Sequence, residues 1–336
     1  MLSFLSCNTL FVDKKPIDND FDQTILNFAR SYFGTLPEID FQKMDDGQKK
    51  MVLLGKKLYY DKRLSGNQSM SCATCHDISK YGVDNLPVSP GDKGQLGIRN
   101  SMSVMNAYLQ DGQNWDTKFK TVENQAEGPI FNKNEMNMSD PQELLRRLNK
   151  DSEYVNLFAE LFPSSNPAIT VKNITHAIGA FERTLVTPSR FDDYLRGDLN
   201  ALNTEEKLGV YSFVINCKSC HCTSLVGGGF SQKFALFFKY CDFSECNEKD
   251  KGKFAVTGNP EDEYVFKVPQ LRNVEKTHPY MHDGSVKTLE DAIRICSMAE
   301  SNYRLEEDDV KNMTAFLKAL TGKIPEHALE NVKMKE

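Results

Sequence analysis

Two five-residue segments, Cys72-Ala73-Thr74-Cys75-His76 and Cys217-Lys218-Ser219-Cys220-His221, both read C-x-x-C-H. Two thiols on one helical turn can reach the two vinyl groups of a haem as thioethers, and the next imidazole then stands under the iron. With 9 cysteines and 6 histidines in 336 residues, one chance match is expected about four times in a thousand chains of this composition. Structural zinc is the rival for any C-x-x-C pair, but zinc ribbons bring the second pair about 15–20 residues later. Here the motifs stand 145 residues apart, cysteine to cysteine and histidine to histidine. A redox dithiol leaves both histidines unexplained. The reading is therefore two covalently bound haem c groups, on Cys72, Cys75, Cys217 and Cys220, with His76 and His221 as iron ligands.

Equal spacing argues for an internal duplication, and Leu54-Gly55 and Leu208-Gly209 each precede a haem motif on a helical run. Asp45 with Gln48 reads as a capping box opening a helix that puts Met51, Leu54 and Leu58 on one face and closes by Asp61 and Gly66. Helical period also covers residues 141 to 162 and 170 to 188, the latter through Ile174, Ile178, Phe181 and Leu185. Another run starts at Asn203, with Glu206 in the box position, and passes Leu208, Tyr211 and Val214 to Cys217. A last stripe of Val310, Met313, Leu317 and Leu320 stops at Gly322. No alternating series is strong enough to build a sheet. The polar stretches 79–114 and 222–265 are longer than loops in compact domains usually are; a large apolar cofactor would supply the core they lack. The expected fold is mainly α, with two cytochrome c-like haem domains and long connecting loops. Residues 21–185 form the first domain and 186–325 the second, between a leader and linker at 1–20 and a polar tail at 326–336.

The formal net charge is −6, from 47 acids and 41 bases, which argues against a nucleic-acid partner, since such proteins need a basic surface. No run reaches the roughly 18 apolar residues of a spanning helix. Met1 to Cys7 reads as the tail of a bacterial lipoprotein signal without its basic n-region, and the alternative is a disordered start with an incidental cysteine. Cys241 and Cys246 can pair in an oxidising compartment, whereas Cys222 has no evident role.

Further motifs accompany the haem sites: Leu54-Gly55-Lys56-Lys57-Leu58-Tyr59-Tyr60-Asp61, Arg99-Asn100-Ser101, Trp115-Asp116, Gln125-Ala126-Glu127-Gly128-Pro129-Ile130, Glu135-Met136, Phe266 to Val274, and Pro279-Tyr280-Met281-His282-Asp283-Gly284. Together they make the chain, from about Leu54 to Gly322, resemble the bacterial di-haem cytochrome c peroxidases and the related di-haem enzyme of methylamine utilisation. The resemblance implies reduction of hydrogen peroxide to water, with electrons from a small cytochrome c or cupredoxin in the periplasm or cell envelope. It implies a peroxidatic haem on His76 and an electron-accepting haem on His221. Gln125 and Glu135 match the distal-pocket pair, and Glu135 is the natural acid–base group, because O–O cleavage needs a proton moved from one oxygen to the other. Trp115, the sole tryptophan, matches a residue between the haems that assists electron transfer. Asn100, Thr277 and Pro279 match the ligands of an inter-domain calcium ion, the last two by backbone carbonyls, and oxygen donors suit that hard cation. A homodimer and a lipid anchor at Cys7 complete the expected partners.

Two departures from the family pattern matter. Where many members carry a distal histidine, this chain reads Ser89-Pro90-Gly91-Asp92. A carboxylate is a poorer partner for haem iron than imidazole, so Asp92 is expected to remain solvated and the all-ferric first haem to be open. For the second haem, ungapped comparison from His282 puts Cys296 where the family has methionine, with Met298 two residues later. Thioether ligation raises a haem potential and thiolate lowers it, so chemistry favours Met298 and spacing favours Cys296; Met298 is the expected ligand. His282 is expected near a haem propionate and His176 on a packed or surface helix face. Two rival functions stand beside the peroxidase: an oxidase acting on a protein or organic substrate, and a non-enzymatic di-haem electron carrier. Glu135 and the missing distal histidine count against the carrier.

Overall fold

The computed structural model of the chain describes residues 19–246 and 249–329, so the expectations for Cys7 and for the extreme C-terminus lie outside the described residues. The chain is mainly helical. The first half carries α1 (Asn19–Arg30), α2 (Asp46–Tyr59), α3 (Cys72–Cys75), α4 (Val122–Phe131), α5 (Pro141–Asn149), α6 (Ser152–Leu161) and α7 (Val171–Glu182). After α8 (Arg190–Arg196) come α9 (Thr204–Cys217), α10 (Phe254–Thr257), α11 (Leu289–Ser301), α12 (Glu307–Ala319) and α13 (Glu326–Leu329). Among the described residues the sheet is one antiparallel pair, β1 (Ser231–Lys233) with β2 (Val265–Lys267), Ser231 opposite Lys267.

Local rules set the starts of the two long helices. The Asp45 carboxylate accepts the Gln48 amide at 2.8 Å, and the Gln48 side chain accepts the Asp45 amide at 3.1 Å. Asn203 and Glu206 repeat the arrangement at 2.9 and 2.8 Å. The expected helical stretch from 141 to 162 is broken in two, because the Asp151 side chain caps a new helix by accepting the Glu153 amide.

The duplication reappears as two copies of one helix crossing. α2 packs on α7 and α9 packs on α12. A Cβ added at Gly55 would lie 1.8 Å from the Ala177 carbonyl oxygen, and one added at Gly209 would lie 2.0 Å from that of Asn312. Phe181 and Phe316, each one turn further along the partner helix, close over the glycine. This contact sets the rotation of α9, so Val210, Phe213 and Val214 are buried and Tyr211, expected on the inner face, is 43% exposed. One core gathers Leu54, Leu58, Ile130, Leu144, Phe158 and Phe181, with Cys72 and Cys75 packed against it. The other gathers Val210, Val214, Met313, Phe316 and Leu317, with Cys217 against it.

Two expected boundaries move. α1, expected within the first domain, packs on α8 and α9 and gives Ile25, Leu26 and Ala29 to the second core. The expected polar tail opens with α13, which returns to the first core through Ala328 just after Ile324. There His327 stacks on Phe41 at 4.6 Å, its Nε2 lies 2.8 Å from Thr184 Oγ1, and its carbonyl accepts Lys56 Nζ at 2.6 Å. Each core is thus sealed by a segment from the far end of the chain, through a few apolar residues in otherwise polar sequence.

Gly55→Ala and Gly209→Ala force backbone apart at these crossings, and each is expected to cost about 1–3 kcal/mol, the usual penalty of overpacking. Chemical denaturation of the holoprotein followed by circular dichroism measures this; unchanged midpoints in both variants would mean that the helix pairs separate freely.

Candidate active site

The two C-x-x-C-H segments are held in equivalent ways. His76 Nδ1 lies 3.2 Å from the Gly82 carbonyl oxygen, and His221 Nδ1 lies 3.2 Å from that of Val226. A carbonyl there fixes the proton on Nδ1 and leaves the Nε2 lone pair free, the tautomer a metal-binding imidazole needs. Burial lowers the pKa of both imidazoles, that of His221 to about 4. Tyr59 donates to the His76 carbonyl at 2.5 Å, tying the first motif to the end of α2. Burial would push thiols at Cys72 and Cys217 up to about 12 and at Cys75 to about 11, which places these cysteines in apolar surroundings.

Beside the second motif lies a cavity of about 460 Å³, within the range of cofactor sites. Cys217, Cys220 and His221 form one wall, and Phe213, Val268, Ile293, Met313 and Leu317 add apolar surface. Thiols, imidazole and apolar lining fit a thioether-linked haem. Leu289, Ala292, Ile293, Cys296 and Glu300 line it from α11, at the three- and four-residue spacing of a single helix face. Met298, two residues from Cys296 and so on another side of the helix, is not among the lining residues. The expectation of Met298 is therefore corrected: helical phase presents Cys296 to the cavity. Burial, with Glu300 and Cys220 nearby, pushes the Cys296 thiol up to about 12.

Trp115, Asn100, Thr277, Pro279 and His282 line the same cavity. The Trp115 indole N–H donates to the Asn100 carbonyl at 3.0 Å, and the Asn100 amide donates to the His282 carbonyl at 2.7 Å. His282 is buried, stacked on Phe266 at 4.3 Å, with its ring 6.4 Å from Trp115. His176 is exposed on α7. The three residues matched to calcium ligands thus line one cavity and offer neutral oxygens; among the described residues no group of three or more His, Cys, Asp or Glu could hold a metal.

Charged residues that motif reading left without a role surround Trp115. Arg99 bridges Asp116 at 2.5 Å and Asp250 at 2.7 and 2.8 Å. Lys267 is buried with Nζ donating to the Gly112 carbonyl at 2.9 Å, and its amide donates to the Trp115 carbonyl at 2.7 Å. Burial pushes Lys267 down to about 7 against the pull of Asp116. Glu182, buried on α7, is pushed up to about 8 by burial and by Glu123. Arg99 and Lys267 both lie in quoted motifs, but nothing in a single sequence marks a charge as buried.

At the first haem motif, Gln125 stands half-buried on α4, and Glu135 follows on the return loop. That loop folds back on α4 through Met136 N–H to the Pro129 carbonyl at 3.1 Å and Met138 N–H to the Ile130 carbonyl at 2.9 Å. Glu135 is close enough for its charge to raise the Cys75 thiol. The Glu135 side chain is exposed; protein packed around its carboxyl nevertheless raises its pKa, while Asn132 and Lys118 pull the other way. No hydrogen bond joins Gln125 to Glu135. Asp92 differs from expectation: it is 9% exposed, not solvated, and its carboxylate accepts Ser69 Oγ at 2.5 Å and the Asn67 amide at 2.8 Å. These nearby donors capture it before solvent can. Cys241 and Cys246 form a disulfide, and Cys222 stays a free thiol.

Comparison with known proteins agrees with this geometry. The di-haem cytochrome c peroxidase family matches residues 49–200. The cytochrome c551 peroxidase of Pseudomonas aeruginosa is 44% identical over 81% of this chain and 79% of its own length. That of Nitrosomonas europaea is 41% identical over 83% and 82%. The crystal structure of a MauG-like protein associated with microbial copper homeostasis superposes with a TM-score of 0.75 at 28% identity, over 89% of this chain and 95% of that one. With both attachment motifs intact and a relative this similar over four-fifths of its length, the chain belongs to the di-haem cytochrome c peroxidase family.

Proposed function

We propose that this protein reduces hydrogen peroxide to two waters, consuming two electrons and two protons, with the electrons supplied by a small cytochrome c or cupredoxin of the periplasm. The observation that carries the reading is Glu135, a carboxyl of raised pKa beside the first C-x-x-C-H motif. Haem iron held by His76 would supply the redox chemistry. Glu135 accepts the proton from one peroxide oxygen and returns it to the other, so that the leaving oxygen departs as water. Its raised pKa brings it nearer the range in which a carboxyl can both take and give a proton. Gln125, on the helix that carries this loop, orients the peroxide by its amide.

The reading includes two cytochrome c-like domains with thioether-bound haems and a calcium ion on Asn100 and the carbonyls of Thr277 and Pro279. Trp115 serves the passage of electrons from the second haem. A periplasmic or cell-envelope location is supported by the Cys241–Cys246 disulfide, since such bonds persist in oxidising compartments. Cys296, not Met298, is the α11 sulfur that lines the cavity where Cys217, Cys220 and His221 would hold the second haem.

Glu135→Gln is expected to keep both haems and slow peroxide turnover by roughly 10²–10⁴-fold, measured with reduced cytochrome c as donor; a rate within about twofold of the parent removes Glu135 from the mechanism.

The parent is expected to lack the near-infrared band of ferric methionine-ligated haem, and Cys296→Met is expected to create it while Met298→Ala changes nothing. A parent band that vanishes in Met298→Ala would restore Met298 as the ligand.

Because Ser69 and Asn67 occupy the Asp92 carboxylate, the all-ferric first haem is expected to be high-spin and to react with peroxide without prior reduction. Electron paramagnetic resonance of the oxidised enzyme tests this, and two low-spin haems with no peroxide reaction until half-reduction would refute it.

A further inference from the structure

The Glu135 side chain is exposed although Met136 and Met138 of the same return loop are buried, so its position beside the haem motif depends on backbone contacts. Its carbonyl accepts one backbone N–H, that of Asp92, at 2.8 Å. Asp92 is in turn locked by its own side chain, one carboxylate oxygen on Ser69 Oγ at 2.5 Å and the other on the Asn67 amide at 2.8 Å. The Asn67 side-chain amide also donates to the Asp92 carbonyl at 3.2 Å. Two residues beyond Ser69, Ser71 caps α3, the turn that carries Cys72 and Cys75. Next to this knot, the Gly66 amide donates to the Met136 carbonyl at 2.7 Å, and Arg147 of α5 donates to the carbonyls of Ser65 and Gly66 at 2.7 and 3.0 Å. An unbroken series of hydrogen bonds therefore runs from the segment leading into the first haem cysteines, through the Asp92 carboxylate, to the backbone of Glu135.

We propose that Asp92 is the positioning residue of the acid–base group: its carboxylate clamps the 67–69 segment, and its amide holds the Glu135 backbone beside the first haem motif. The inference rests on Glu135 being that acid–base group. Asp92 touches neither substrate nor proton in this role; it acts through the place it gives Glu135. Burial alone would raise the Asp92 carboxyl, but Ser69, Asn67 and their neighbours outweigh it and hold the group below its ordinary value. The clamp is therefore charged at neutral pH, where hydrogen bonds to a carboxylate are stronger than those to a neutral acceptor. Displacing a catalytic group by about 1 Å can cost about 10²-fold in rate, so a loop released at Asp92 reports directly on turnover.

The test compares holoenzymes of the parent, Asp92→Ala, Asp92→Asn, Ser69→Ala, Glu135→Gln and the Asp92→Ala/Glu135→Gln double variant, all with two haems by absorbance. Asp92→Ala is expected to lower kcat roughly 10- to 100-fold and leave KM for peroxide within about twofold. Asp92→Asn keeps the shape but one acceptor fewer, and Ser69→Ala removes one donor; both are expected to fall between Asp92→Ala and the parent. Added to Glu135→Gln, Asp92→Ala is expected to cost less than about another twofold, since a misplaced group that is already absent loses nothing more. Amide hydrogen exchange in segment 132–138 is expected to rise in Asp92→Ala and Ser69→Ala but not in Glu135→Gln. A slow Glu135→Gln enzyme beside a fast Asp92→Ala enzyme overturns the positioning role alone, as do losses that multiply in the double variant. A Glu135→Gln enzyme as fast as the parent overturns the acid–base reading and this role with it. Should Asp92→Ala fail to take up haem, Ser69→Ala carries the same comparison.

Discussion

Asp192 and Arg272 form an ion pair whose side chains are both wholly removed from solvent, with contacts of 2.7 and 3.0 Å. Burying two charges costs several kcal/mol per ion unless the remaining lone pairs and protons are satisfied, and here they are. Asp192 also accepts the amides of Leu36 and Ser189, each at 2.7 Å. Arg272 also donates to the Ser224 carbonyl at 2.8 Å and to Ser189 Oγ at 3.0 Å. Four distant segments meet at this pair: the exit of α1, the start of α8, the loop after His221, and the 266–274 motif. The loop matters most, because two residues beyond Ser224 the Val226 carbonyl holds His221 Nδ1. The orientation of the His221 imidazole is thus tied to a buried charge pair whose Arg272 also lines the cavity.

Beside the pair, a neutral network joins the two halves of the chain. Asn106 and Thr187 exchange hydrogen bonds at 2.9 and 3.0 Å, Asn273 donates to Thr187 Oγ1 at 2.8 Å, and the Gly322 amide donates to Asn273 Oδ1 at 3.0 Å. Asn106 and Asn273 both have left-handed backbone, at φ 58° and 64°, a conformation asparagine tolerates better than most residues. With α1 lodged in the second core and Ala328 in the first, the halves are stitched in both directions. That explains how Asn100 and Trp115, from the first half, come to wall the cavity of the second haem.

What the sequence made legible follows from the range of the forces involved. Capping boxes at Asp45 and Asn203 were readable because a side chain and an amide three residues away decide them. The haem motifs were readable because covalent chemistry fixes their spacing. Cys296 against Met298 was not decided by ligand chemistry, since the phase of α11 relative to the cavity depends on how α11 packs. Asp92 was misjudged because its partners, Ser69 and Asn67, lie more than twenty residues earlier and look like ordinary loop residues. The exchange of α1 and α13 was hidden for the same reason: a few apolar side chains do not reveal which core they enter.

The duplicated scaffold holds its two histidines alike, so any division of labour must arise from what faces each of them. On the side of His76 stand the raised carboxyl of Glu135, the amide of Gln125 and a clamped Asp92. All three are polar, and Asp92 is already held by Ser69 and Asn67. On the side of His221 stand an apolar wall, the half-buried Cys296 with Glu300 near it, and the indole of Trp115. Thiolate and thioether ligands push a haem potential in opposite directions, so, were residue 296 a ligand there, its identity would bear on the potential of a haem in this cavity. Any difference between the two motifs is therefore carried by a handful of facing side chains, on a framework that the crossings at Gly55 and Gly209 keep common to both.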